Sequence, residues 1–293
     1  MPKHPLAEVF GFPPDNFSPE ARRARQYRLC PYNNRVPSCT KDKANDPLGV
    51  CSIHVENGVA ITCPVRFRQD WLIAEHAAQF FFPADTRWTA LTEVRLNDRH
   101  GKSAGNIDVV LVAYDDQGRI VDFGALEIQA VYISGNIRQP FERYIQDPIK
   151  LEAFDWSNQR FYPRPDYLSS LHERLAPQLI YKGGILQSWG KKQAIALHSG
   201  FYEMLPNLAE VSPDVADVAW LVYDLVLDSA QKRYHLTLSK TVYTLFKPAL
   251  DKIITPEPGP VETFMGYLQD KLDEMLEDGS SPDAPTLTDI LNL

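Results

Sequence analysis

Between residues 93 and 129 two short apolar-rich β patterns are separated by a polar, turn-forming stretch. Gly105–Tyr114 and Ile120–Gln129 each read as a β-strand, and Asp115-Asp-Gln-Gly118 between them reads as a tight turn, so the pair predicts a hairpin. Upstream, Ser18-Pro19-Glu20 opens a short helix, with Ser18 as its N-cap and Pro19 in its first position. Val59–Cys63 reads as a strand, Gln69–Phe82 as a helix stopped by Pro83, and Trp88–Leu96 fits either helix or strand. Downstream, Tyr132–Pro140 reads as a loop, Phe141–Phe154 as a helix, Arg160–Pro165 as a Pro-broken connection, and Leu168–Ile185 as a further helix. Ala194–Leu197, Val218–Leu227 and Tyr234–Leu238 are predicted strands. The second of these is long, apolar and β-branched, as a buried central strand is. An acidic amphipathic helix over residues 261–278 precedes fifteen residues expected to be disordered. The order predicts a mixed α/β fold, a central sheet with helices on both faces.

Each strand of the hairpin carries a carboxylate in an apolar setting. Asp108 precedes Val109–Val112, and Glu127 lies between Leu126 and Ile128, sharing a strand face with Gln129. A carboxylate near an apolar core is costly without a cation or donor, and two on neighbouring strands repel. Mg²⁺ takes hard oxygen ligands, often one or two carboxylates with water and phosphate. An Asp on one strand and Glu-x-Gln on the next therefore suggests metal-assisted phosphodiester cleavage. The plainer alternative is a pair of solvated strand carboxylates. Glu93 is the third acid within reach, and the helical form of Trp88–Leu96 would deliver it toward the hairpin.

Composition changes this picture little. Of 293 residues, 44% are apolar and 23% charged, as in an ordinary soluble protein. No apolar run approaches a membrane span, and Met1-Pro-Lys-His-Pro-Leu6 lacks the core of a secretion signal, so the expectation is a cytoplasmic protein. The net charge of −8 is carried entirely from Asp251 onward, where ten acids face two lysines. The body is therefore balanced and can still gather Arg and Lys in one groove. The most basic stretch runs from Arg22, Arg23, Arg25 and Arg28 to Arg35, Lys41 and Lys43; it is either a solvated face or a phosphate contact.

The four cysteines, Cys30, Cys39, Cys51 and Cys63, are clustered early and contain no C-x-x-C pair. By spacing alone a metal site and free buried thiols are equally good readings. The segment from Cys30 to Gly49 is rich in turn formers and poor in aliphatics, so a tetrathiolate metal would supply stability that apolar burial does not.

Three stretches together resemble the NotI-type family of type II restriction endonucleases, within the wider PD-(D/E)xK superfamily. They are Cys30-Pro-Tyr-Asn-Asn-Arg-Val-Pro-Ser-Cys39-Thr-Lys-Asp-Lys-Ala44, Leu48–Cys51 through Thr62–Gln69, and Gly105–Asp108 with Leu126–Gln129. The resemblance implies a PD-(D/E)xK core over residues 76–278, preceded by an N-terminal region over 1–75 with a four-cysteine metal site and followed by a flexible acidic tail over 279–293. It implies one structural iron on Cys30, Cys39, Cys51 and Cys63, where spacing alone leaves zinc open. Asp108 and Glu127 would hold Mg²⁺, Gln129 would stand in the usual lysine position and orient a water, and Glu93 would assist. The implied enzyme belongs to a bacterial restriction–modification system. It cuts double-stranded DNA at a GC-rich palindrome, leaves 5′-phosphate ends and works as a C2 homodimer. Arg138, Arg143, Lys191 and Lys192, with Arg160 and Arg164, are candidates to contact the DNA. The competing readings are a non-catalytic DNA-binding module and a nonspecific repair nuclease on a degenerate version of the same fold.

Overall fold

The N-terminal half of the chain builds a small sheet before the predicted hairpin is reached. The computed structural model describes residues 2–277 apart from 34, 35, 44, 57 and 149–153. Strand β1 (Leu6–Val9) pairs antiparallel with β4 (Val50–Val55), which pairs with β5 (Gly58–Ile61). Between them lie helix α1 (Pro19–Gln26) and the two-residue strands β2 (Asp42–Lys43) and β3 (Asp46–Pro47). The Ser18 hydroxyl accepts from the Ala21 amide at 3.2 Å, so the predicted cap forms. A 3₁₀ stretch (Pro64–Trp71) leads to α2 (Leu72–Phe81). The helix expected from Gln69 starts later because Gln69 is extended and Asp70 and Trp71 are left-handed.

The central sheet comes next. Strand β6 (Trp88–Asn97) settles the open choice at that segment as a strand. The expected hairpin is β7 (Ser103–Tyr114) and β8 (Ile120–Gln129). Asp115 Oδ1 closes its turn by accepting from the Gln117 and Arg119 amides, both at 2.9 Å, and Gly118 takes a φ of 75°. A short pair, β9 (Tyr132–Ser134) and β10 (Arg164–Asp166), flanks α3 (Arg138–Gln146). Within the helix predicted over Phe141–Phe154, residues 149–153 lie outside the described ones, as does the predicted disordered tail. Helix α4 (residues 167–188) contains two π-helical turns, Leu171–Leu175 and Leu179–Gly183, on either side of Pro177. Proline lacks the amide and crowds the carbonyl four residues back, and widened turns relieve that conflict. Strand β11 (Gln193–His198), the short helix α5 (Ser199–Tyr202), β12 (Val218–Asp228), β13 (Arg233–Thr244) and α6 (Phe246–Ile254) follow.

The six-stranded mixed sheet has the order β13-β12-β11-β8-β7-β6, with β11 parallel to both β8 and β12 and the other pairs antiparallel. One face packs Leu111, Leu126, Ala196 and Leu221 against Ile73, Ala77 and Phe81 of α2. On the other face, Ile195, Leu197 and Trp220 meet Leu171, Leu175 and Leu179 of α4 and Phe246 of α6. Gly124 is required by this packing, since a Cβ there would lie 2.3 Å from the Phe81 ring. The chain forms two compact units, Met1–Ile254 and Thr255–Leu293. The described part of the second contains α7 (Val261–Glu277), whose Val261, Met265, Leu268, Leu272 and Met275 repeat at alternating four- and three-residue intervals. No described helix is long and apolar enough to cross a membrane.

Arg66 is fully buried and joins the three-stranded sheet to the six-stranded one. Its Nε donates to both oxygens of the equally buried Glu8 at 2.9 and 3.0 Å. One terminal nitrogen reaches Gln69 Oε1 at 2.8 Å and the other reaches the Tyr234 carbonyl of β13 at 2.9 Å. The guanidinium also lies 4.3 Å over the Tyr32 ring, and Ser52 donates to Glu8 at 2.7 Å. Each nitrogen of the guanidinium has a partner, which is what makes a buried ion pair tolerable.

These buried polar groups set two expectations for stability. Glu8→Ala strands the guanidinium without its counter-ion and lowers the unfolding free energy by about 3–5 kcal/mol; denaturant unfolding measures this, and a loss below about 1 kcal/mol would show that the pair does not hold the sheets together. His54 is pushed down to about 4, first by burial and then by His4. Its folded value lies below its ordinary 6.5, so the stability that neutral His54 contributes is present above pH 6.5 and is lost as the pH falls from there to about 4. The thermal midpoint of His54→Asn should therefore fall less than that of the wild type across this window.

Candidate active site

The two predicted carboxylates meet where the hairpin splits. The β7–β8 ladder ends at Val109 opposite Leu126, while β8 continues along β11 to Gln129 opposite Leu197. Beyond the last rung, Asp108 Oδ2 accepts from the Ile128 amide at 2.7 Å, a donor the ladder no longer uses. Period-2 alternation puts Glu127 and Gln129 on the face covered by α4, opposite the face of Leu126 and Ile128.

Helix α4 answers these two side chains with two of its own. Gln178 and Lys182, one turn apart, stand over Gln129 and Glu127. The Gln129 amide donates to Gln178 Oε1. Lys182 Nζ lies 2.7 Å from Glu127 Oε2 and 2.8 Å from the Asn106 carbonyl on β7, so it bridges the two strands beyond the end of their ladder. The Lys182 and Glu127 side chains are only 5% and 10% exposed. Burial raises the Glu127 carboxyl to about 8; Asp108 pushes the same way, and Lys182 opposes both. Among the described residues no donor reaches the buried Glu127 Oε1, and Asp108 raises Glu127 by hydrogen bonding as well as by charge, so a cation would relieve the crowding of the two carboxyl groups.

Glu93 is a strand residue, so of the two forms open to its segment the helical delivery falls away. By register it lies across from Asp108, between the Thr92–Val109 and Val94–Ile107 pairs. Its φ of 56° breaks the strand's alternation: Trp88 and Ala90 join the α2-side core, whereas Val94 and Leu96 join the opposite one. The Glu93 carboxylate is 47% exposed and lies 3.4 Å from Arg68. Among the described residues no group of three or more His, Cys, Asp or Glu is arranged to hold a metal ion, so Asp108 and Glu127 stand as a pair.

The cysteines converge without forming a ligand set. A β-bridge between Leu29 and Ser38 brings Cys30 and Cys39 together, with the Cys30 amide on the Pro37 carbonyl and the Cys39 amide on the Arg28 carbonyl. Cys51 lies on β4, and Cys63 directly precedes the 3₁₀ stretch. All four line one small enclosed cavity with Phe10, Leu29, Leu48 and Arg66. Burial raises Cys39 and Cys51 and pushes Cys30 up to about 11, with neighbouring thiols adding to each shift. Thiols held protonated in this way pack as small apolar groups, and the four-thiolate geometry expected from the sequence is absent from this arrangement.

Four of the six basic residues expected at the DNA each have a partner inside the protein; of the other two, Arg160 lies 5.3 Å over the Phe161 ring and Arg164 lies on β10. Arg138 pairs with Asp42 and Asp46, fastening α3 to the cysteine segment. Arg143 lies over the Phe154 and Trp156 rings, at 4.9 and 5.1 Å. Lys191 pairs with Asp122 at 2.5 Å, and Lys192 donates to the Phe80 carbonyl at 3.0 Å. Exposed basic side chains instead gather on the β6–β7 hairpin beyond Asp108, at Arg95, Arg99, His100 and Lys102. Asp98 shapes that turn by accepting from the His100 and Lys102 amides.

Sequence reading passes over Lys182 and Gln178. The available signal is the four-residue spacing of Leu171, Leu175 and Leu179, an apolar stripe whose next turn brings Lys182 into the interior.

A search among curated proteins finds no match. A family model described as restriction endonuclease NotI matches residues 15–236, a span that holds the cysteines, the hairpin carboxylates and Lys182. With well over half its length matched, the chain belongs to the NotI family of restriction endonucleases, type II enzymes that bind DNA and cut it at specific sequences.

Proposed function

We propose that this family member has a PD-(D/E)xK-type core and cuts double-stranded DNA in a Mg²⁺-dependent reaction at a GC-rich palindrome. It leaves 5′-phosphate ends and acts as a C2 homodimer, one active site per strand. The observation that carries the reading is the split between β7 and β8, with Asp108 and Glu127 side by side and Glu127 Oε1 buried without a partner. Such an acceptor beside a second carboxylate suits a hard divalent cation, with water and phosphate completing its shell. When bound, Mg²⁺ supplies Lewis-acid polarisation of the phosphate and acidifies water.

The chain's own residues do the rest. Asp108, fixed by the Ile128 amide, and Glu127, fixed by Lys182, present two carboxylates in a set geometry. Gln129, held by Gln178, orients the attacking water by hydrogen bonding and brings no charge of its own. Glu93 assists from the neighbouring strand through water, after release from Arg68. The basic tip of the β6–β7 hairpin lies at the open end of the split and contacts the DNA backbone. Arg138, Arg143, Lys191 and Lys192 reach phosphate only by giving up their internal partners.

The cysteines take one structural iron in this reading. Four thiols lining one cavity are a chemically suitable donor set, and the ion would shape the N-terminal region while leaving no position for water or phosphate. Binding requires the thiols to deprotonate and close inward.

Digestion of a long DNA of known sequence, with and without Mg²⁺, tests the function. Discrete fragments only with Mg²⁺, with ends that sequence to one palindrome, are expected. A smear indicates a nonspecific nuclease, and intact DNA from a protein that still shifts a DNA probe indicates a binding module. Asp108→Ala should slow cleavage more than about 100-fold while DNA binding survives; cutting at the wild-type rate would remove Asp108 from the site. Metal analysis of the purified protein should find one iron per chain, lost in Cys39→Ser along with soluble yield. A metal-free, stable and active Cys39→Ser protein would refute the structural role.

A further inference from the structure

Resting on the nuclease reading above, we propose that Lys182 is a positioning residue of the active site, holding Glu127 in place and supplying the positive charge that Gln129 does not. Four observations converge on it. Lys182 Nζ contacts Glu127 Oε2 at 2.7 Å, leaving Glu127 Oε1 without a partner. The same nitrogen contacts the Asn106 carbonyl at 2.8 Å, so one side chain ties β7 to β8 where their ladder has ended. The helix that delivers it is seated closely: a Cβ on Gly183 would lie 2.7 Å from the Phe246 ring and 3.0 Å from Gln193 Oε1. Finally, Gln178 and Lys182 take up Gln129 and Glu127 together, so α4 addresses both polar residues of that strand face at once.

Packing alone does not explain this lysine. An apolar side chain fills the interior of a sheet–helix interface at lower cost than a buried ion pair. A purely structural β7–β8 tie would also not need to end on a carboxyl group whose other oxygen is buried without a donor. The arrangement acts on the reaction by fixing which Glu127 oxygen stays available beside Asp108 and by placing a cation close to where negative charge builds up on phosphate. Lys182 is 55 residues from Glu127 in the chain, so the charge arrives from a helix and not from the strand that carries Glu127 and Gln129.

The test compares the full-length wild type, Lys182→Gln, Lys182→Arg and Asp108→Ala on one cleavable DNA. Cleavage rate is read at saturating DNA, and DNA affinity separately with Mg²⁺ withheld. Lys182→Gln keeps an amide able to donate to Glu127 and Asn106 but removes the charge. It should bind DNA within about threefold of the wild type and cut about 100-fold more slowly, the scale of losing one electrostatic contact in an active site. Lys182→Arg restores the charge and should cut within about tenfold of the wild type. A Lys182→Gln protein that cuts within about threefold of the wild type overturns the inference. If that variant does not fold, Lys182→Arg decides: folded, DNA-binding and as inactive as Asp108→Ala, it overturns the inference equally. A wild type that binds DNA and never cuts it overturns the nuclease reading and the inference with it, whereas a cutting wild type beside an unaffected Lys182→Gln overturns the inference alone.

Discussion

The buried Glu8–Arg66 pair is the constraint on which the arrangement of the first unit depends. Two charges removed from water are tolerable only when their donors and acceptors are satisfied, and Arg66 meets that demand by drawing on three separate parts of the chain. It takes Glu8 from the first strand, the Tyr32 ring from the cysteine segment, and the Tyr234 carbonyl from the last strand of the large sheet. The N-terminal region is thereby locked against the central sheet by a polar contact that has one geometry. Apolar packing alone would let such an interface slide by small amounts at little cost. The four cysteines lie around a cavity that Arg66 also lines, so the same contact sets where that segment can sit.

The candidate active site repeats this logic on a smaller scale. Strands β7 and β8 part, and two buried polar contacts keep them at a fixed separation, Asp108 to the Ile128 amide and Lys182 to the Asn106 carbonyl. Lys182 offsets the burial of Glu127, which keeps one oxygen in reserve. Rigidity and the placing of the two carboxyl groups come from the same side chains. The fold holds the strands, and the held strands present carboxylates at a spacing no flexible loop would maintain.

What is legible in the sequence is whatever depends on near neighbours. The hairpin follows from alternation and turn chemistry, Ser18 and Pro19 from capping, and Asp108 with Glu127 from carboxylates standing among apolar strand residues. The rest depends on contacts distant in the chain. Lys182 reads as the polar end of an ordinary amphipathic helix until α4 is laid over β8. Arg138 reads as available to DNA because nothing local reveals that Asp42 and Asp46 reach it. Glu93 reads equally well on a helix or a strand because the left-handed φ that redirects it is not encoded by its neighbours. The cysteine segment is the mixed case, since its convergence is legible and its geometry is not.

The inversion at Glu93 also bears on how the protein avoids unwanted association. Strand β6 is an outer strand of the sheet, and its free side is a row of amides and carbonyls on which another strand could grow. A continuous row over the whole of Trp88–Asn97 would be a template for fibrillar stacking in a crowded solution. The left-handed Glu93 sits midway along that row, and the exposed Glu93 and Arg95 add charge where a further strand would have to pair. The residue that redirects one carboxylate thus also places charge along the open edge of the sheet.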